Sequence, residues 1–323
     1  MTFLAALFAI LKNIIYGTTV FFTGELTATV DVLDLLALRF LLSAFVMWIL
    51  KVTRVLKIKI SVKDFFVRNE RSPFIKSILL AALFEPVLYM LFETIGISMT
   101  TGVTAGVILS LSAVSSCILE VVVLKEKSTW MQRIFLGIGI FGAIYITLNT
   151  NTSSGENTVL GIVCMFLAVL AGSLFCVFSR KSSSKFSSME ITYISCLLGA
   201  VAFNTVNVIR HIVSGTLLHY FDPYWNWQNL IGFVFLGVLS TVVATGMNNY
   251  ALSKMQVSTM MAFAGISTLV TIAVGVCIQG ETLHAYHIIG LVCIVVRMIG
   301  VSYIAIRRDR KKKQAISPKE SAE

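Results

Sequence analysis

The sequence predicts an all-α polytopic membrane protein: ten transmembrane helices in two inverted five-helix repeats, with both termini cytoplasmic. Three observations predict it. Of the 323 residues, 57% are hydrophobic and only 13% charged, against about 25% charged in soluble domains. Apolar runs of about 20 residues, the length that crosses a bilayer, recur with short polar breaks. Lysine and arginine gather in every second break.

The spans fall at 2–22, 32–50, 74–93, 100–124, 129–148, 158–178, 189–212, 227–250, 257–278 and 284–306. The first holds Lys12 and Asn13 inside its apolar stretch and lacks a basic leader, so no cleavable signal peptide is expected. The third reads FEPVLYMLFE at 84–93, with two glutamates around a helix-breaking proline. The fourth opens on TTGVTAG and is the least cleanly bounded. The break before span 8, HYFDPYWNWQ at 219–228, has the amphipathic aromatics of a membrane interface.

Segment 51–73 carries seven Lys/Arg, 179–188 three, and the tail from Arg307 seven. Lys125, Lys127 and Lys254 lie in two further connections on the same side. The opposite connections, 23–31, 94–99, 149–157, 213–226 and 279–283, contain none. This bias orients the chain. The net charge of +10 is therefore an orientation signal with some attraction for anionic lipid, not a nucleic-acid footprint. The six cysteines all fall within spans without a CxxC and are read as small packing residues.

The polar segment NTNTSSGENT (149–158) divides five spans from five. Three segments follow: a first repeat at 1–150, a second at 151–306, and a basic cytoplasmic tail at 307–323. Shifting one half by 155 residues aligns Glu126 with Glu281, Thr104 with Thr259 and Ser112 with Ser267. An odd number of spans per half makes the copies enter the membrane in opposite senses. Inverted repeats that rock about a midplane site are a transporter signature.

The motifs ETIGISMTTGVTAGVILSLSAVSSCILEVVVLKEKST (93–129) and YALSKMQVSTMMAFAGISTLVTIAVGVCIQGETL (250–283) carry a resemblance. With IIYG (14–17) and LALRFLLSAF (36–45), the chain resembles EamA-type transporters of the drug/metabolite transporter superfamily over nearly its whole length. It departs where the family often has a span-interior proline, here Ala113 and Thr268, and Arg297 stands opposite Gly142 in the repeat. The resemblance implies a central cavity among spans 1, 3, 4, 6, 8 and 9, and transport of small organic solutes, most often outward.

Ionisable residues at membrane depth are costly and face partners or water. Lys12 lies midway along span 1 with Tyr16 one turn on, and Glu85 midway along span 3 with Tyr89 one turn on. By the resemblance, Lys12 and Glu85 meet at the cavity, either as a pair that substrate or a proton opens or as a permanent structural pair. Glu93 reads as the outer part of a wet path or as a solvated helix end. Ser112, Asn248 and Ser267 supply hydrogen bonding, although small polar residues also mediate ordinary packing. Arg39 and Pro86 are read as structural, and Glu126 and Glu281 as helix-terminal hinges of the repeat.

No catalytic, cofactor-binding or metal-ligating set is expected. His284 and His287 have metal-compatible spacing but no supporting thiol, and no phosphate-binding glycine loop exists. The expected function is a secondary transporter in the cell membrane, exporting amino acids or related metabolites by alternating access as a monomer or homodimer. The expected partners are a small-molecule solute, membrane lipid and protons as coupling ion, without nucleic acid. The alternatives are an uptake permease, a flippase or a membrane-embedded lipid-modifying enzyme.

Overall fold

The structure, a computed structural model, describes residues 3–56, 58, 72–123, 130–149, 158–255, 257, 260, 263–280, 284–286, 288–293, 295–297, 299–300, 303–304 and 307. The described residues are helical throughout, apart from short turns. In the first half, α1 is Phe3–Thr27, α2 Val32–Val52, α3 Ser72–Ala82, α4 Tyr89–Ser98, α5 Gly102–Ser110, α6 Ser112–Val123 and α7 Trp130–Asn149. In the second half, α8 is Val159–Ser182, α9 Ser188–Val213, α10 Asp222–Trp225, α11 Trp227–Val234, α12 Thr245–Lys254 and α13 Gly265–Cys277. Among the described residues, six continuous helical stretches are long and apolar enough to cross a membrane: Leu4–Thr27, Val32–Val52, Lys76–Ser98, Val159–Ser182, Ser188–Val213 and Trp227–Lys254. Shorter apolar helices accompany them.

Local chemistry sets several boundaries. Asp31 caps α2 by accepting from the Leu33 N–H, and Ser187 and Glu190 form a reciprocal capping box at the start of α9. The stretch at 100–124, which reads as one span, is divided at Leu111 into α5 and α6. Large apolar side chains such as Leu170, Val201 and Phe141 point outward, as helices surrounded by hydrocarbon require.

Among the described residues, two helical stretches contain wide π turns. Between α3 and α4 runs Leu83–Leu88, with non-helical backbone at Glu85 (φ −137°, ψ 113°). A residue before proline is driven into this extended region, so the Glu-Pro dipeptide itself places the break. Between α11 and α12 runs Phe235–Ala244. There the hydroxyls of Thr241 and Thr245 donate to carbonyls five residues back, at Leu236 and Ser240. Shifted by 155 residues, the first π segment falls inside the second.

Packing follows the same shift. Helix α2 lies along α9, its equivalent in the other half, and α5 lies along α13, the equivalent of α6. The α3–α4 stretch packs on α8, matched by α1 packing on the second π segment and α12. The α6–α8 contact is matched by α13–α1. Where helices approach most closely the residue is glycine: a Cβ on Gly17 of α1 would lie 2.6 Å from the Ser267 carbonyl of α13. Its counterpart in the repeat, Gly172 of α8, seats the Tyr89 ring, which a Cβ would meet at 2.9 Å.

The connection before α11 folds back onto the bundle. The Tyr224 hydroxyl donates to the Leu38 carbonyl at 2.7 Å, and burial pushes that phenol above its ordinary value, so it stays a donor. Trp225 and Trp227 project outward beside it.

Candidate functional site

A partly open cavity of about 90 Å³ lies among α1, the first π segment, α4, α5, α6, α8, the second π segment, α12 and α13. Lys12, Tyr16, Glu85 and Tyr89 line it, and so do Glu93, Ser112, Asn248 and Ser267. All eight residues proposed from sequence for binding or coupling therefore share one space.

From α1 come Lys12, Tyr16 and Thr19, spaced so that all face one side. Lys12 is 4% exposed, and its Nζ stands 5.1 Å from the centre of the Tyr16 ring. The Tyr16 hydroxyl is 3.1 Å from Thr245 Oγ1 of α12, tying α1 to the second half. Asn13 Nδ2 bonds back to the Ala9 carbonyl at 2.6 Å.

Glu85 and Glu93 flank Tyr89. The Tyr89 hydroxyl donates to Glu93 Oε1 at 2.6 Å, while Glu85 has no hydrogen bond or ion pair among the described residues. Glu93 is 5% exposed and the helix continues past it to Ser98, so it is a cavity wall and not a solvated helix end. The direct Lys12–Glu85 pair expected from sequence is not formed within 4.0 Å, although both face the cavity. Glu85 sits at the extended break of the π segment, while Lys12 lies on the regular helix α1.

The structural residues behave differently. Arg39 is fully buried behind the cavity wall: Nε donates to Thr241 Oγ1 at 2.9 Å and Nη2 to Ser240 Oγ at 3.2 Å. Pro86 is buried against α9, where Gly199 leaves room for its ring. Glu126 and Glu281 lie outside the described residues, as does His287. Arg297 is buried with its side chain across Gly139 of α7. Among the described residues no cluster of His, Cys, Asp and Glu could hold a metal, and the described cysteines are free thiols.

Sequence reasoning missed Thr19, Gly172, Cys176 and Ser240, which also line the cavity. The repeat held the signal for two of them. Glu85 aligns with Ser240 and Gly17 with Gly172 at the same 155-residue shift that aligns Ser112 with Ser267 and Glu93 with Asn248. Cavity positions are thus largely conserved between halves as places, but not as chemistry: the first half supplies both carboxylates and the second supplies neutral hydrogen-bonding groups.

Comparison with known proteins follows this layout. Residues 3–148 and 159–303 each match the EamA-like transporter family. The chain is 30% identical over 304 residues to the uncharacterized transporter YcxC of Bacillus subtilis, covering 94% of each protein. It is 23% identical over 229 residues to an uncharacterized transporter of Archaeoglobus fulgidus, covering 70% of this chain and 75% of the relative. A solved crystal structure with 16% sequence identity superposes with a TM-score of 0.67, covering 94% of this chain and 98% of the other, which shows a shared fold.

Proposed function

The chain belongs to the EamA-like transporter family, and on that premise we propose that it exports amino acids or related metabolites by alternating access. It is a multi-pass membrane protein and a transporter of small solutes. Within the proposal, ten spans form repeats at 1–150 and 151–306, both termini and the basic tail face the cytoplasm, and the membrane is the cell membrane.

One observation carries this reading: a single cavity is built from both halves and combines carboxylates, an ammonium, hydroxyls and amides with apolar walls. A solute with one charged or polar end and an apolar body matches that lining. Glu85 is the proposed coupling carboxylate, because it faces the cavity with no hydrogen-bond or ion-pair partner among the described residues. Binding in such a space between two packed halves lets each side open in turn.

The test is reconstitution into vesicles with a panel of amino acids and related metabolites, with pH set independently on each side. Outward-directed, pH-responsive movement supports the proposal, and Glu85→Gln should flatten the response. Inward-only movement would make the protein an uptake permease. Turnover of a lipid with no solute movement would replace transport by enzymology. Labelling of single cysteines at 126 and 281 tests the topology, which requires the two on opposite faces.

A further inference from the structure

We propose that Ser240, with Arg39 behind it as a positioning residue, is the subsite that holds a carboxylate of the transported solute. This deepens the transport reading and rests on it, by assigning one end of the cargo to named atoms. The observation that prompts it is an unsatisfied donor. Arg39 is 0% exposed, yet Nη1 has no acceptor among the described residues, and no carboxylate lies within ion-pairing distance of the guanidinium. Glu93 and Glu85 act on the guanidinium only across a distance, and a buried cation with an unmet donor is expensive to keep, so its retention points to an anion that completes its surroundings.

Arg39 does not itself line the cavity, but Ser240 does. The Ser240 oxygen accepts from Arg39 Nη2 at 3.2 Å and from Thr19 Oγ1 at 3.1 Å. A hydroxyl has two acceptor sites and one proton. The Thr19 hydroxyl has one proton, shared between the Ile15 carbonyl at 3.1 Å and Ser240. When Thr19 turns to Ser240 the Ser240 proton is free to donate into the cavity, and the guanidinium behind it makes that donation stronger. The two carboxylates nearby are poor candidates for it. Glu93 is already held by Tyr89, and Glu85 makes no hydrogen bond to Ser240.

The repeat supplies the second argument. Ser240 occupies the position equivalent to Glu85, each within a π turn facing the same cavity. One equivalent position offers a carboxylate and the other a hydroxyl backed by a guanidinium. A zwitterionic solute placed between them would set its cation toward Glu85 and its carboxylate toward Ser240.

The competing role for Arg39 is a pure staple between α2 and the second π segment. Carboxylate selectivity separates the two roles, because a staple has no reason to distinguish cargo ends. The full-length protein in neutral detergent is titrated with three matched probes, L-leucine, isoamylamine and isovalerate, and thermal stabilisation is followed. Wild-type protein should be stabilised by leucine and by isovalerate. Ser240→Ala should weaken apparent affinity for both by about tenfold, the worth of one charge-assisted hydrogen bond, and leave isoamylamine unchanged. Arg39→Lys, which keeps charge but loses the fork, should fall between wild type and Ser240→Ala. Equal loss for all three probes, or no loss for any, overturns the assignment. Stabilisation of wild type by the amine alone also overturns it while leaving solute binding intact. No stabilisation of wild type by any probe removes the amino-acid reading and this inference with it.

Discussion

Lys12 and Glu85 face one cavity and are not paired. Unpaired charge inside a membrane protein is a stability cost of several kcal/mol per ion after relaxation. The Tyr16 ring 5.1 Å from the Lys12 ammonium returns only about 0.5–2 kcal/mol.

That imbalance predicts opposite effects of one substitution. Lys12→Met should raise stability in detergent by roughly 1–2 kcal/mol, because the side chain keeps its bulk and loses its desolvation cost. Transport should fall at least about tenfold if the ammonium serves the solute or the coupling ion. Thermal unfolding and vesicle flux on the same preparation check both; unchanged flux would reduce Lys12 to packing.

Tyr89→Phe removes the 2.6 Å bond to Glu93 without changing shape. The expected loss is about 1–2 kcal/mol, the worth of a hydrogen bond to a carboxyl group in a partly buried setting. Freed from its donor, Glu93 would then respond to the cavity, so the pH profile of transport should change. Glu93→Gln keeps an oxygen for Tyr89 to donate to and should cost less in stability. Equal losses for the two variants would count against the bond.

Gly17 and Gly24 lie on the same helix and predict contrasting alanine variants. At Gly17 a Cβ would sit 2.6 Å from a backbone carbonyl and from Val270 Cβ, so α1 and α13 must separate. The cost should be about 1–3 kcal/mol, as for overpacking elsewhere. At Gly24 the nearest atoms would be 3.9 Å away, and Gly24→Ala should stay within about 0.5 kcal/mol of wild type. Thermal unfolding of the two purified variants decides it, and similar values would mean that the α1–α13 contact is loose.

Much of this was legible from sequence because membrane depth makes polar residues conspicuous. Lys12, Glu85 and Glu93 stand out in apolar runs, and their helical spacing from Tyr16 and Tyr89 put those rings on the same face. The Glu-Pro dipeptide announced the break at residue 85 through the restriction that proline imposes on its predecessor. Ser240 and Thr19 were not legible, since a lone hydroxyl in a helix commonly bonds its own backbone, and Thr19 does so to Ile15 as well as reaching Ser240. The missing Lys12–Glu85 contact was also beyond sequence reading: spacing fixes which face a residue takes, not the distance between side chains on different helices.

The last prediction concerns a cluster far along α2 from the cavity. Asp34 accepts from His211 Nε2 at 2.7 Å, Asn207 Nδ2 at 2.9 Å and Arg210 Nη2 at 2.8 Å, all on α9, while Arg210 also reaches Asp31. On its other side the His211 ring sets Nδ1 2.8 Å from the Thr216 hydroxyl and 3.1 Å from the Thr216 carbonyl. At the other end of α2, Lys51 Nζ lies 4.5 Å from the Tyr193 ring of α9. Helices α2 and α9 are thus tied at both ends and should move as one body when the cavity changes access. Asp34→Ala strands three donors at once and should cost about 2–3 kcal/mol, whereas Asp34→Asn keeps two neutral acceptor bonds and loses mainly the ionic one with Arg210. That ranking is checked by thermal unfolding at low and high salt: the Asp34→Ala loss should persist at about 1 M salt, because screening weakens exposed pairs far more than a half-buried network. A loss that vanished in salt would show the cluster to be surface charge, leaving α2 and α9 free to part.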